Sequence, residues 1–304
     1  MTRRFDTIIT NPPFQDRTNR GKTRHKLWLD FTRRCVDDLL AEGGHLCQVS
    51  PSSFRSPSSP VLDYFRRYRV HWIDLDVNDH FPDVAVDFAT YLIEKTPDTL
   101  PPPTDVKTTD GYFRVTFDPL LFYVPNVLTK EATSIHRKVI FDHMPKLPVE
   151  RDYVTCHNVI MKRQGEESTL SKVQTDRHVF PVFHTNRQTW WSSIKQEFAD
   201  KPKVIWTRSG YTKPFFDNGT LGVTDMSYFV RVDDEYAGNN LAHNLNTMLL
   251  KYIYATAKWS GFGHERVFDA LPNLPVDRAL TDEEVFEMFA LTESERVEVK
   301  RRVG

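Results

Sequence analysis

Cysteine is scarce in this sequence, and no stretch of the sequence is long and apolar. The three cysteines, Cys35, Cys47 and Cys156, are far apart, and none belongs to a CxxC pair or a Cys/His cluster. This spacing excludes a recognisable zinc site, so no metal site is predicted. The first ten residues, MTRRFDTIIT, lack the apolar run of a signal peptide, and no segment is apolar enough to span a membrane. We therefore expect a cytoplasmic protein.

An excess of charge of either sign is also absent. The 304 residues carry a formal net charge of −1, which argues against a protein that binds polyanions over its whole surface. The balance differs locally, because one short segment holds five cations and a single acid, Asp16. The five cations are Arg17, Arg20, Lys22, Arg24 and Lys26.

The first hundred residues show a pattern of short apolar strands and amphipathic helices, which is typical of an α/β fold. Strands are predicted at 5–9, 45–49, 70–76 and 86–93, and helices at 26–41 and 58–68. The first helix is expected to stop at Gly43-Gly44. Because the first three strands alternate with helices, they suit parallel pairing, whereas the last two suit an antiparallel hairpin.

The rest of the chain is less regular. Residues 96–109 are rich in proline and are predicted to be a linker. Beyond it, strands are predicted at 204–206, 222–224 and 228–232, and helices at 239–258, 281–289 and 292–302. The last two helices have N-terminal capping sequences, in which Thr281 is followed by Glu284 and Thr292 by Glu295.

The residues with the clearest chemistry are Asn11-Pro12-Pro13-Phe14, directly after the first strand. The amino group of a nucleobase is a poor nucleophile, because its lone pair is delocalised into the ring. Two hydrogen-bond acceptors placed around its N–H bonds favour the pyramidal nitrogen that accepts a methyl group. The side-chain carbonyl of Asn11 and the backbone carbonyl of Pro12 are candidates for these acceptors, and the two prolines restrict the backbone that carries them. Phe14 would stack on a base that has left the duplex.

The segment FDTIITNPPF resembles the catalytic motif of amino-group DNA methyltransferases that use S-adenosylmethionine. NPPFQ, followed by Lys26-Leu27-Trp28, Phe31 and GGHLCQVSP at 43–51, is similar to the Eco57I-like branch of adenine-specific enzymes. The segment ALPNLPVDRALTDEEVFEMFALTESE at 270–295 is similar to the end of that branch.

The resemblance implies site-specific methylation of adenine N6 in double-stranded DNA. It also implies a partial Rossmann-like sheet, holding strands 4–7 of the order 3-2-1-4-5-7-6. This catalytic half-domain would occupy residues 1–95. A mixed α+β target-recognition domain would follow the linker, at 110–304.

The family's glycine-rich turn for S-adenosylmethionine is not found before the loop, since only ten residues precede Asn11. Gly261-Phe262-Gly263 follows a predicted helix rather than a buried strand, which favours a helix C-cap. Thr10 and Asn11 are the remaining cofactor contacts to expect. The first strand would then be an open sheet edge. We expect a second polypeptide with the cofactor half, a second copy of this chain, or a rearranged segment of its own to cover it.

DNA contacts are predicted at two places. The five cations from Arg17 to Lys26 are candidates for phosphate contacts beside the flipped base. Arg208, Tyr211 and Lys213 lie between predicted strands of the recognition region and are candidates for reaching the DNA. A solvated surface loop and an ordinary hairpin are equally good interpretations of these two segments.

Several alternatives remain open at this stage. Asn-Pro-Pro-Phe would also suit a simple turn, and related enzymes methylate RNA or a protein glutamine. The chain would also fit a DNA-binding subunit of a restriction-modification complex that has no catalytic activity of its own. An enzyme that transfers another group to a base amine is a further possibility.

Overall fold

The computed structural model describes most of the chain, in two compact units, Met1–Arg137 and Lys138–Gly304. The described residues are 4–14, 26–57, 59–81, 87–97, 103–117, 120–142, 145–152, 168–185, 188–209, 213–259 and 265–304. Among them, no helix has the length and apolar character needed to cross a membrane.

The first unit is built on a six-stranded mixed sheet in the order β1-β2-β4-β3-β5-β6. Its strands are β1 (Phe5–Thr10), β2 (Leu40–Pro51), β3 (Tyr68–Asp74), β4 (Phe88–Pro97), β5 (Thr104–Thr108) and β6 (Gly111–Val115). Its helices are α1 (Leu27–Arg33), which continues as a π-helical stretch (Arg34–Leu39), α2 (Val61–Arg67) and α3 (Lys130–His136). Short 3₁₀ turns occupy Ser52–Arg55 and Asn78–His80, and a π-helical stretch, Arg137–Phe141, follows α3.

The parallel pairing predicted for the first two strands is confirmed, because β1 pairs with β2 in parallel. The predicted hairpin is also confirmed, since β3 and β4 are antiparallel. The third strand does not pair with the second, however. Strand β4 lies between β2 and β3 and is antiparallel to both, so β2 and β3 run in the same direction without being neighbours.

The sequence pattern predicted that the first helix stops at Gly43-Gly44, and this prediction is wrong. The helical segment ends at Leu39, and the fully buried Leu40 already pairs with Phe5. The register of β1 against β2 shifts between Phe5 and Thr7. Gly43 lies within this irregular stretch with φ +74°, a conformation that glycine adopts at little cost.

The sheet extends beyond residue 95, where composition predicted the end of the first domain. Strand β5 comes from the proline-rich segment 96–109 and pairs in parallel with β3, and β6 adds to it as a hairpin. The chain passes from the first compact unit to the second between Arg137 and Lys138. The functional division into a catalytic half-domain and a recognition domain stays a prediction.

The second unit also mixes helices and strands. One sheet has the order β11-β10-β13 and the other β12-β8-β9-β7. The strands are β7 (Leu170–Ser171), β8 (Phe180–Phe183), β9 (Thr189–Ser192), β10 (Pro202–Thr207), β11 (Phe215–Asn218), β12 (Gly222–Val223) and β13 (Ser227–Arg231). The helices are α4 (Glu235–Asn244), α5 (Met248–Thr256), α6 (Glu265–Phe268), α7 (Asp282–Met288) and α8 (Glu293–Val303).

Both predicted capping boxes are confirmed. Thr281 and Glu284 cap α7 reciprocally, and Thr292 and Glu295 do the same for α8. The long helix predicted at 239–258 is instead two helices, α4 and α5, which break at 245–247. At the end of α4 the side chain of Asn244 donates to the carbonyls of Pro275 and Arg278 and accepts from the Leu280 N–H.

Candidate active-site loop and basic cavity

Strand β1 delivers the Asn-Pro-Pro-Phe loop to the end of the sheet. The register of β1 against β2 ends at Thr10 opposite Gln48, and the loop residues follow at once. Thr10 is half-buried and Pro12 is buried, whereas Asn11 and Pro13 are exposed. No hydrogen bond to the exposed Asn11 side chain is found among the described residues.

Phe14 packs against an aromatic residue of the sheet. Its ring centroid lies 4.9 Å from that of Phe88, the first residue of β4, and Phe88 contacts Phe81 at 4.6 Å. Phe88 is only 2% exposed. Its N–H donates to the side-chain oxygen of Asn78 at 2.7 Å, which anchors the start of β4. Phe14 therefore packs against the buried ring of Phe88 and is itself half-exposed.

Strand β1 lies at an open edge of the described sheet. Within the described part of the chain, β1 is the first strand of the six-stranded order and its neighbour is β2. Ile9 is 80% exposed and Phe5 is 43% exposed, although both are large apolar side chains. Such an edge is a template for pairing with further polypeptide. Whether further polypeptide pairs with this edge stays a prediction.

The predicted DNA-contact residues are only partly covered by the structure. Arg17, Arg20, Lys22, Arg24 and Tyr211 lie outside the described residues, as does Gly261-Phe262-Gly263. Lys26 is exposed immediately before α1, where its carbonyl accepts from the Leu29 N–H at 3.0 Å.

Arg208 and Lys213 are brought to a common feature of the second unit. Both line a cavity of about 520 Å³, named here the basic cavity. Its lining also includes Lys251 and Lys258, about forty residues further along the chain. Arg208 and Lys213 are close together in the sequence. No feature of the sequence indicated that Lys251 and Lys258 would line the same cavity.

The sequence also missed a cluster of two histidines and a glutamate on neighbouring strands of the first unit. His45 on β2, His71 on β3 and Glu94 on β4 have potential metal-ligating atoms within 4.8 Å of one another. His45 lies directly opposite Glu94, and His71 falls at a register shift between Val70 and Trp72. Strand register alone reveals this grouping, because the three residues are far apart in sequence.

The contacts within this cluster favour a hydrogen-bonded group over a metal site. His71 Nε2 lies 2.6 Å from Glu94 Oε2, whereas two ligands of one tetrahedral zinc ion lie roughly 3.3 Å apart for bonds of about 2.0–2.1 Å. His45 Nε2 lies 3.9 Å from the same carboxylate oxygen. The hydrogen bonds that Glu94 accepts from Thr96 and His71 hold the pKa of its carboxyl below the ordinary value.

Comparisons with known proteins give likenesses of low similarity. No protein-family model matches the chain, and the search of curated proteins found no match. The type IIL restriction-modification enzyme MmeI, solved in complex with DNA, aligns with 87% of this chain and 45% of its own, at 9% identity and a TM-score of 0.41. The type IIG restriction endonuclease BpuSI aligns with 90% of this chain and 45% of its own, at 9% identity and a TM-score of 0.30.

A shorter match comes from a type I system. The M protein of the type I restriction enzyme EcoKI aligns with 34% of this chain and 25% of its own, at 19% identity and a TM-score of 0.25. The chain therefore spans less than half the length of each of these structures. At these TM-scores the likenesses carry no functional inference.

Proposed function

We propose that this chain carries the base-binding part of a DNA adenine N6-methyltransferase of the restriction-modification type. The observation that carries the proposal is the Asn-Pro-Pro-Phe loop at the end of β1, with an exposed Asn11 and a half-exposed Phe14 held against Phe88. Asn11 and Pro12 supply the two acceptors for the adenine amino group, and Phe14 supplies a stacking surface. Pro13 restricts the backbone between them.

The sheet order supports the same proposal. Strands β1, β2, β4 and β3 follow one another across the sheet, and β4 is antiparallel to its neighbours. We assign them to strands 4, 5, 7 and 6 of the methyltransferase order that the sequence resemblance implies. On this assignment the family's cofactor-binding strands belong beside β1, at the edge that is open in the described sheet.

S-adenosylmethionine would supply the methyl group. Of the described residues, Thr10 and Asn11 are the ones that we assign to its side of the loop. Most of its contacts would come from polypeptide that pairs with the open edge of β1, either from a partner chain or from sequence joined to this one. The exposed Ile9 and Phe5 on β1 give such a segment an apolar surface to cover.

The test is the replacement Asn11→Ala in the chain expressed with an affinity tag in its own genomic context. The native complex should transfer methyl groups from labelled S-adenosylmethionine to DNA and produce N6-methyladenine in digested DNA. Asn11→Ala should abolish this product while DNA binding survives, because the lost amide acts on the amino group rather than on the duplex. Asn239→Ala, at an exposed position of α4, is the matched control.

The other outcomes are equally informative. Full activity of Asn11→Ala would refute the assignment of the loop. DNA binding by the native complex without any methyl transfer would favour the alternative, an inactive DNA-binding subunit. A mass change on DNA other than one methyl group would indicate a different donor. Tight binding of S-adenosylmethionine by this chain in isolation would contradict the proposed role of additional polypeptide at β1.

A further inference from the structure

The basic cavity belongs to the second unit and is separate from the residues of the Asn-Pro-Pro-Phe loop. It is formed where β10 ends, along one side of α5 and beside Phe268 of α6. Its volume of about 520 Å³ lies in the range of roughly 300–1,000 Å³ that is usual for small-molecule sites. The first unit contributes none of the described lining residues.

The charge of the lining is one-sided. Four of the described lining residues are cations, namely Arg208, Lys213, Lys251 and Lys258. No described lining residue is an aspartate or a glutamate. Two carboxylates occur near Phe268 along the chain, on Glu265 and Asp269. Both are engaged by Arg151, at 3.4 Å and 3.6 Å. The cavity therefore offers a positive potential to an anionic ligand.

Helix α5 and the residues just after it supply two of these cations. Lys251 and Ala255 are four residues apart on one side of α5, and Lys258 follows shortly after the helix ends at Thr256. The small side chain of Ala255 leaves room between the two lysines. Lys258 Nζ also donates to the Ser209 carbonyl at 2.9 Å, which ties the end of α5 to the turn that carries Arg208.

The floor of the cavity is aromatic. Tyr254 and Trp206 each contact Phe268, with ring centroids 6.1 Å and 6.3 Å away. Trp206 Nε1 and the Tyr254 hydroxyl are buried without a hydrogen-bond partner in the described structure. Unpaired buried polar groups are uncommon in folded proteins. Both residues belong to the lining of the basic cavity.

We propose that the basic cavity binds a nucleotide, with its base over the aromatic floor and its phosphate among the lysines and Arg208. A positive potential selects the phosphate, and an apolar aromatic surface selects a planar base. The nucleotide is either free in solution or turned out of a DNA strand, since the contacts are the same in both cases. The proposal does not rest on methyl transfer by the loop, and its test measures binding only.

The experiment titrates the full chain with three probes, which are deoxyadenosine monophosphate, inorganic phosphate and a short single-stranded oligodeoxynucleotide. Ala255→Glu places a carboxylate between Lys251 and Lys258 at an exposed helical position, where folding should tolerate it. Lys213→Ala combined with Lys251→Ala removes two of the cations. The matched controls are Val297→Glu, on the exposed side of α8, and Lys201→Ala, an exposed lysine outside the cavity.

Both cavity variants should weaken nucleotide binding by about tenfold or more, whereas the controls should bind like the native chain. Binding of the mononucleotide identifies a free nucleotide as sufficient. Binding of the oligonucleotide alone, with the same loss in the cavity variants, identifies a nucleotide within a DNA strand. The proposal is overturned if neither nucleotide probe binds, if phosphate binds as tightly as the nucleotide, or if the controls weaken binding as much as the cavity variants.

Discussion

Phe14 and Phe88 pack with their ring centroids 4.9 Å apart, and this contact joins the Asn-Pro-Pro-Phe loop to the start of β4. Phe81 contacts the same ring of Phe88 at 4.6 Å, with a nearly equal tilt. One buried aromatic side chain therefore supports two partners, of which only Phe14 belongs to the loop. Substituting each partner in turn therefore distinguishes a role of Phe14 in base binding from a role in packing.

Phe14→Ala and Phe81→Ala should each lower the free energy of unfolding by about 1 kcal/mol, because each removes one aromatic contact. Phe14→Ala should also reduce methyl transfer by about tenfold or more, since stacking of a base on an aromatic ring contributes roughly 1–3 kcal/mol. Denaturant unfolding and the yield of N6-methyladenine measure the two effects. Equal activity losses in the two variants would show that Phe14 acts through packing alone.

Ile9→Lys tests the open edge of β1. Ile9 is 80% exposed, so the substitution should change the stability of the isolated chain by no more than about 0.5 kcal/mol. A lysine on an edge strand opposes pairing with another strand. Any polypeptide that copurifies with the native chain through this edge should therefore be lost, as measured by sedimentation and native mass spectrometry.

The control for the edge is Val297→Lys, which changes another exposed apolar residue, on α8 of the second unit. It should leave the assembly intact. An assembly that survives Ile9→Lys but dissociates with Val297→Lys would place the partner surface elsewhere.

His136 should make the stability of the protein depend on pH. Burial lowers the pKa of its imidazole to about 3 in the folded protein, from 6.5 for an ordinary histidine. As the pH falls below 6.5 the unfolded chain takes up a proton that the folded chain does not. The free energy of unfolding should therefore decrease between pH 6.5 and 3, by at most about 1.4 kcal/mol per pH unit from this residue.

His136→Gln should remove this part of the pH dependence, because glutamine does not titrate. Loss of the contact between His136 Nδ1 and the Tyr123 hydroxyl, 2.6 Å apart, should lower stability by a constant amount at every pH. Urea unfolding at several pH values measures both effects. Asn239→Ala, which changes an exposed residue that does not titrate, is expected to keep the native slope. An unchanged slope in His136→Gln would contradict the prediction.

Local patterns were predictable where the forces that form them are local. The strand before the loop and the two C-terminal capping boxes lie where the sequence placed them. The end of the first helix was predicted wrongly, because Gly43-Gly44 has the composition of a helix stop. In the structure this pair serves an irregular parallel register between β1 and β2 instead.

The sequence by itself determined the chemistry of residues 11–14, since two prolines, an amide and an aromatic ring after an apolar strand are properties of adjacent residues. Only the tertiary structure decided that β4 separates β2 from β3, that Phe88 supports Phe14, and that Lys251 and Lys258 lie in one cavity with Arg208 and Lys213. These arrangements join residues far apart in the chain. They follow from strand register and burial of side chains across the fold, which no short stretch of sequence contains.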